Sequence, residues 1–202
     1  MTLWLAAQPL VLASRSAARR TMLEAAGIPI ELHPADLDER AVATRVASQQ
    51  PAGVAALLAK EKAAVVGRAF PGRLVLGADQ TLALGAEHFA KPADRSTARA
   101  QLRALSGKCH VLHSAIAFMQ DGTVLFEHAD TARLTMRTLS DRFLDLYLDA
   151  IGEAATASVG AYQLEGLGSQ LFQQVEGDYF TILGLPLVPA LDFLRRHGCL
   201  AA

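Results

Sequence analysis

The 202-residue sequence has only two cysteines, Cys109 and Cys199, and they lie far apart in the chain. Neither belongs to a C-x-x-C pair, so the sequence lacks the spacing of a zinc motif or a dithiol redox motif. We interpret both residues as small hydrophobic members of the core in a reducing compartment, and we expect no disulfide between them.

The sequence also lacks an excess of either charge, since 19 lysine and arginine residues face 20 acidic residues, for a net charge of -1. No run of basic residues forms a stripe, which argues against a nucleic acid polymer as the partner. The apolar N-terminal stretch has no basic leader, and Gln8-Pro9 interrupts it, so it does not fit a signal peptide or a membrane helix. We therefore expect a cytoplasmic protein with no membrane partner.

About half of the residues are apolar (51%), which is sufficient for a sizeable core in a chain of this length. Buried strands and helices alternate, and this order predicts an α/β fold built on a mixed sheet in a single domain, residues 1–202. In the first part of the chain, the predicted elements are a strand at Leu10–Ala13, a helix from Arg19 to Ala26 closed by Gly27, a strand at Ile28–His33, a long alanine-rich helix starting at Pro51 and a strand at Leu74–Ala78.

Turn signals organise the second part of the chain. The predicted elements are a hairpin over Thr81–Ala90 that turns near Gly85, a helix at Ser96–Leu105, strands at Val111–Met119 and Thr131–Met136 with a turn at Asp121-Gly122, a helix from about Leu139 to Ala150 that ends before Gly152, and a C-terminal helix from Pro186 to about Gly198.

One candidate site is the polar turn Ser14-Arg15-Ser16, which leads into the first helix and is followed by Arg19. Hydroxyl groups, backbone N–H groups at a helix start and a guanidinium are suited to binding an anion such as phosphate. The alternative interpretation is a serine cap beside solvated arginines.

Two acidic segments are further candidates. Asp79 is predicted at the end of an otherwise hydrophobic strand, where ligands of α/β proteins collect, and it could hold a divalent cation, orient a water molecule or cap a turn. The run Asp36-Leu37-Asp38-Glu39 could supply a metal ligand or simply face solvent.

Three isolated lysines are also candidate site residues. Lys60, Lys62 and Lys91 could reach phosphate oxygens or could be ordinary surface residues. His110 and His113 are separated by three positions on a predicted strand, which points their rings to opposite faces and argues against zinc. The sequence has no G-x-S-x-G or Walker A motif. These residues by themselves indicate an α/β enzyme that acts on phosphate esters.

Nine segments in order resemble the Maf family of nucleotide pyrophosphatases, over Leu10 to Leu194. They are LASRSAARRTML, DLDE, LAKEKA, LGADQTL, KPADR, LRALSGKCH, SVGAYQLEGLG, VEGDY and LGLPL. The resemblance implies an elongated mixed sheet flanked by helices, with a deep central cleft like that of the inosine triphosphate pyrophosphatases. It also implies a homodimer and the cleavage of a nucleoside triphosphate to a monophosphate and pyrophosphate.

The resemblance also implies roles for individual residues. Asp79 matches the proton acceptor, and with Glu39 it is predicted to bind a divalent cation, Mg²⁺ or Mn²⁺. The predicted substrate-binding residues are Ser14, Arg19, Lys62, Gln80, Lys91 and Glu165. Since a carboxylate with an ordinary pKa near ~4 is a weak base at neutral pH, Asp79 is expected to act together with the metal.

The resemblance also bears on substrate choice. Gln80 and Glu165 are similar to the subgroup that acts on 7-methylguanosine triphosphate, and a carboxylate at position 165 can accept two hydrogen bonds from guanine. The expected role is the removal of non-standard or modified nucleotides. Ala17-Ala18 stands where the family often has Pro-Arg or Pro-Trp, so a base-tolerant nucleoside triphosphate pyrophosphatase is an alternative. A further alternative is an interaction protein that inhibits septum formation.

Overall fold

The computed structural model describes residues 2–46 and 50–202. These residues form two compact units, each made of separate chain segments. The first unit contains the chain up to Gln80 together with Ser114–Asp130 and Gly184–Ala202, and the second contains Thr81–His113 and Thr131–Leu183.

Seven strands form one mixed sheet in the order β2-β1-β3-β5-β6-β7, and β4 pairs with β3. The strands are β1 (Leu10–Ala13), β2 (Ile30–Leu32), β3 (Val75–Leu84), β4 (Glu87–Phe89), β5 (Cys109–Gln120), β6 (Thr123–Met136) and β7 (Phe172–Glu176). The α-helices are α1 (Ala17–Ala25), α2 (Glu39–Ala43), α3 (Pro51–Gly67), α4 (Arg95–Leu105), α5 (Asp141–Ile151), α6 (Tyr179–Ile182) and α7 (Leu187–Arg196). Short 3₁₀ helices span Gly152–Thr156, Val159–Ala161 and Leu167–Leu171.

In the first unit, β1 lies between two parallel neighbours, β2 and β3. Leu12 pairs with Leu32 on one side and with Leu76 on the other. All four residues of β1 are buried, as expected for a parallel strand that is covered on both faces.

Helix α3 approaches β3 closely at Gly77. A β-carbon at this position would overlap the carbonyl oxygen of Ala59 and would lie 2.8 Å from the amide nitrogen of Ala63, so only glycine allows the helix backbone to lie against the strand. Gly77 and Asp79 are two residues apart on β3 and therefore face the same side of the sheet. The close packing brings Lys62, the neighbour of Ala63, beside Asp79.

The second unit has its own core, in which residues from α4, α5 and the adjoining strands are buried together. Helix α5 starts with a capping hydrogen bond from the Phe143 amide to the Ser140 hydroxyl, 3.2 Å long, and ends at Gly152, which has a φ of +55°. On the surface, the Nε of Arg99 on α4 lies 2.8 Å from the Asp145 carboxylate on α5. The two helices are thus joined by apolar contacts and by ion pairs.

The α/β class and the mixed sheet flanked by helices are confirmed. Strand Leu10–Ala13 and the helix starting at Pro51 match the prediction, as do the turns at Gly85 and Asp121-Gly122, where φ is positive. The structure starts α1 two residues earlier than predicted, at Ala17. No helix in the described part of the chain combines the length and the hydropathy needed to cross a bilayer.

Three sequence predictions are wrong. Strand β6 starts at Thr123, directly after the turn, rather than at Thr131. Strand β3 does not stop at Ala78 but continues to Leu84, so Asp79 lies inside a ten-residue strand rather than at its end. The polar side chains of Asp79 and Gln80 do not break the strand because they have partners within the first unit. Cys109 is exposed at the start of β5 instead of being a core residue, whereas Cys199 is buried, and both thiols are free.

Candidate active site

A group of charged side chains in the first unit surrounds Asp79. The ammonium group of Lys62 on α3 lies 2.6 Å from Oδ1 of Asp79 and 2.7 Å from Oε1 of Glu39. The side chains of Lys62 and Asp79 are only 12% and 9% exposed, whereas that of Glu39 is 55% exposed. One cation therefore joins a buried carboxylate on β3 to a solvent-facing carboxylate on α2.

The carboxyl group of Asp79 is a stronger base than an ordinary aspartate. Burial raises its pKa, and the positive charges of Lys62 and Arg19 offset part of that effect. A raised pKa favours proton uptake at neutral pH. The weakness expected of a free aspartate is thus reduced by the position of Asp79 inside the strand.

Arg19 is a buried cation, 8% exposed, in the first turn of α1. Its Nε donates to the carbonyl of Gly184 (2.7 Å), and its Nη1 donates to the carbonyl of Ala78 (2.8 Å) and to the hydroxyl of Ser14 (3.0 Å). All three acceptors are uncharged, and burial lowers the pKa of the guanidinium while the charges of Asp79 and Glu39 oppose that shift. Within residues 2–46 and 50–202, no acceptor bonds to the Nη2 group.

The turn before α1 was interpreted either as an anion site or as a serine cap beside solvated arginines, and it has features of both. Ser16 caps the helix by accepting a hydrogen bond from the Arg19 amide (3.4 Å), as the capping alternative predicted. Ser14 is buried and accepts from the Ser16 amide (3.2 Å) as well as from Arg19. Arg15 and Arg20 are exposed, as the capping alternative expects, whereas Arg19 is buried.

The acidic run divides into a cap and a site residue. Oδ1 of Asp38 accepts hydrogen bonds from the amides of Arg40 and Ala41, 3.1 and 3.0 Å long, so Asp38 caps the short helix α2. Glu39 is the first residue of that helix and contacts Lys62. The structure therefore gives Asp38 a capping role and places Glu39 beside Lys62.

Two residues near this group were missed by sequence reasoning. Ser114 on β5 is buried, and its hydroxyl accepts a hydrogen bond from Nε2 of Gln80 (2.9 Å). Gly184 has a φ of +94°, and a β-carbon there would lie 3.3 Å from Nη2 of Arg19. The LGLPL segment contains Gly184, but only the structure shows that its carbonyl holds Arg19.

The other two predicted substrate-binding residues belong to the second unit. Lys91 follows β4 and is exposed, and Glu165 is an exposed residue of a turn after Tyr162. That Lys91 and Glu165 contact the same substrate as Asp79 stays a prediction. His110, in contrast, is fully buried, and its Nε2 lies 2.7 Å from the hydroxyl of Tyr162.

The donor set in the first unit suits a hard divalent cation. Asp79 and Glu39 offer carboxylate oxygens, the ligand type of Mg²⁺ and Mn²⁺, and they are close enough to share one ammonium group. In the described part of the chain, no group of three or more His, Cys, Asp or Glu side chains could hold a metal. Two carboxylates fit a Mg²⁺ ion that takes its other ligands from water and phosphate oxygens.

Comparison with known proteins identifies the family. The chain belongs to the Maf family, since the family model described as Maf-like protein matches residues 9–197. A protein of Rhodopseudomonas palustris named nucleoside triphosphate pyrophosphatase is 58% identical over 201 residues, which cover 100% of both chains. A Rhizobium etli protein named 7-methyl-GTP pyrophosphatase is 53% identical over 191 residues, covering 94% of this chain and 96% of its own.

Among solved structures, that of a HAM1 protein from Coxiella burnetii is similar to 63% of this chain and 72% of its own, with 18% identity and a TM-score of 0.41. At this TM-score, the likeness is too low to support an inference about fold or function.

Proposed function

We propose that this protein hydrolyses nucleoside triphosphates to a nucleoside monophosphate and pyrophosphate. The observation that carries the proposal is the buried Asp79 carboxylate, which lies 2.6 Å from Lys62 and close to the fixed guanidinium of Arg19. A base flanked by cations is suited to the attack of water on a highly charged phosphate chain. Relatives that match the whole chain carry the name nucleoside triphosphate pyrophosphatase.

In this proposal, Asp79, Lys62 and Arg19 have different roles. Asp79 accepts the proton of the attacking water, a role that is favoured because burial raises its pKa. Lys62 holds the Asp79 carboxylate in position and adds positive charge near the phosphates. Arg19, anchored through Nε and Nη1, presents Nη2 to a phosphate oxygen.

A divalent cation is part of the proposal. Asp79 and Glu39 would hold it, and the ammonium group of Lys62 pairs with one oxygen of each carboxylate. When bound, Mg²⁺ or Mn²⁺ would act as a Lewis acid that offsets the charge of the triphosphate. Lys91 is proposed to add a further cation on the phosphates.

We propose a preference for 7-methylguanosine triphosphate, a finer assignment that depends on Gln80 and Glu165. Glu165 is exposed and can therefore accept hydrogen bonds from the N1–H and N2 groups of a guanine ring. Uracil and thymine have no such pair of donors. The Rhizobium etli relative, named 7-methyl-GTP pyrophosphatase, supports this assignment.

A pyrophosphate-release assay with Mg²⁺ or Mn²⁺ tests the activity. The wild type should release pyrophosphate, and Asp79→Asn should lower kcat about a hundredfold or more, because amides are not proton acceptors. Asp192→Asn is the matched control, since Asp192 is an exposed partner of Arg196 at 2.9 Å, and it should keep the wild-type rate. Equal rates for all three proteins would contradict the proposed role of Asp79.

Isotope-labelled water identifies the bond that is cleaved. Attack on the α-phosphorus puts the label in the nucleoside monophosphate and releases unlabelled pyrophosphate. Orthophosphate and a nucleoside diphosphate as the products would overturn the proposed reaction.

A panel of triphosphates tests the base preference. The ratio of kcat/KM for 7-methylguanosine triphosphate to that for UTP should exceed one, and Glu165→Gln should lower it. Similar values for every base would favour the base-tolerant enzyme, in agreement with the small side chains of Ala17 and Ala18.

A further inference from the structure

The turn that carries Glu165 is closed by tight backbone packing in the second unit. The Gly166 amide donates to the carbonyl of Gln163 over 3.2 Å. A β-carbon at Gly168 would overlap that same carbonyl oxygen and would lie 2.8 Å from the Gln163 amide nitrogen. Gln163 and Gly168 are therefore in close backbone contact, with Glu165 at the exposed tip between them.

The backbone that enters this turn adopts an unusual conformation. Gly160 and Ala161 both have positive φ, +78° and +60°, and such values are uncommon for alanine. The Ser158 hydroxyl donates to the carbonyl of Tyr162 (2.5 Å), and the Tyr147 hydroxyl donates to that of Ala161 (3.4 Å). An unfavoured backbone of this kind persists only where surrounding contacts hold it.

Tyr162 links the start of the turn to the sheet. Its ring is 5% exposed and packs edge-on against Phe172, with a centroid distance of 4.9 Å. Its hydroxyl lies 2.7 Å from Nε2 of His110 on β5, a residue with no exposed surface. Burial lowers the pKa of His110 to about 4, so the imidazole is neutral at physiological pH and the contact joins two uncharged groups.

We infer that His110 is a positioning residue for base recognition, because its hydrogen bond to Tyr162 fixes the turn that presents Glu165. The inference rests on the proposed function and on Glu165 as the residue that binds the base. A carboxylate that distinguishes bases through two hydrogen bonds must be held within about half an ångström of its working position. Tyr162 precedes Glu165 by three residues. Without His110, the Tyr162 hydroxyl would lose the hydrogen bond that links the start of the turn to β5.

Four variants and two substrates test the inference. The ratio of kcat/KM for 7-methylguanosine triphosphate to that for UTP should fall about tenfold in His110→Leu and in Tyr162→Phe, through a higher KM for the guanine nucleotide. His110→Gln, whose amide can reach the tyrosine hydroxyl, should keep the ratio within about threefold. The double variant His110→Leu with Tyr162→Phe should fall no further than either single variant, because both remove the same bond.

The outcomes separate this inference from the proposed function. A parallel loss of turnover with both substrates would mean a purely structural role for His110 and would overturn the inference. An unchanged ratio in Tyr162→Phe would also overturn the inference if Glu165→Gln does lower the ratio, because Tyr162→Phe keeps the buried ring and deletes only the hydroxyl. In both cases, pyrophosphate release by the wild type leaves the proposed function standing. A wild type that hydrolyses no triphosphate would refute both.

Discussion

The two compact units bury their polar side chains in different ways. In the first unit, the buried polar groups include charged ones: Arg19 and Asp79 are buried on a helix and a strand, and the positive charge of Lys62, 12% exposed, lies beside Asp79. In the second unit, the buried pair His110 and Tyr162 is neutral, and the carboxylate that we assign to recognition is exposed on a turn.

This difference follows from the chemistry that each group is proposed to perform. A phosphate chain needs charge that is fixed before the substrate arrives, and buried ion pairs on rigid elements supply it. A base is distinguished by the directions of hydrogen bonds, for which a neutral anchor and an exposed acceptor are sufficient. Four predictions test the comparison.

The largest expected effect concerns the packing that brings the charged group together. Gly77→Ala should lower the free energy of unfolding by about 4 kcal/mol, above the usual cost of overpacking, because the added methyl group meets the backbone of α3 rather than a side chain. Gly67→Ala is the control, since its β-carbon would lie 3.8 Å from Val75, an ordinary contact. Urea unfolding measures both variants, and equal stabilities would show that α3 can move away from β3.

The second prediction concerns the neutral pair. The pKa of His110 is lowered to about 4 in the folded protein, whereas an unfolded histidine titrates near ~6.5. As the pH falls from about 6.5 to about 4, the unfolded state takes up a proton that the folded state does not, so stability is lost in that window, by up to about 3 kcal/mol. Above pH ~6.5, neither state binds this proton, and the histidine has no effect.

Urea unfolding of the wild type and of His110→Gln across this window checks the sign. The difference in stability between the two proteins should change with pH, with the wild type losing more on acidification. Parallel curves would contradict a neutral, buried imidazole.

The third prediction concerns the ammonium group of Lys62, which lies between the carboxylates of Asp79 and Glu39. Lys62→Met should lower kcat/KM about a hundredfold, because the buried carboxylate loses its 2.6 Å partner and the phosphates lose a charge. Lys60→Met is the matched control on the same helix, since Lys60 is exposed and lies 3.6 Å from Glu127. A similar loss in both variants would indicate that the helix contributes only its overall charge.

The smallest expected effect concerns the anchor of Arg19. Gly184→Ala should lower kcat/KM about tenfold, because its β-carbon would lie 3.3 Å from Nη2 of Arg19. Gly198→Ala has a comparable backbone strain, with a φ of +76°, but its β-carbon would contact nothing within 4 Å. Both variants should be slightly less stable, and only Gly184→Ala should lose activity in a steady-state assay.

Local signals in the sequence predicted much of the fold. Pro51 starts α3, Gly152 ends α5 and Asp121-Gly122 turns the β5–β6 hairpin, because each depends on the backbone preference of the residue itself. The end of β3 was predicted wrongly because an acidic residue after a hydrophobic run is typical of the end of a strand. Their partners, Lys62 and Ser114, are distant in the sequence and give no local sign.

The candidate site was less accessible to sequence reasoning. Lys62, Asp79 and Glu39 were named together through a family resemblance, and the spacing of the residues did not predict the contact. The close approach at Gly77 is a tertiary feature, and the carbonyl of Gly184 is a backbone group that no side-chain pattern marks. The exposure of Cys109 shows the same limit, because a strand's first residue can be apolar and still face solvent.

The guanidinium of Arg19 is held by Ser14, Ala78 and Gly184, and the last of these is translated more than a hundred residues after the first. A ribosome-bound chain therefore contains Asp79 and Lys62 well before the Gly184 carbonyl is available to hold Arg19. We expect the proposed cleavage of triphosphates to begin only after residue 184 has been added, so a nascent chain shorter than this should not consume nucleotides.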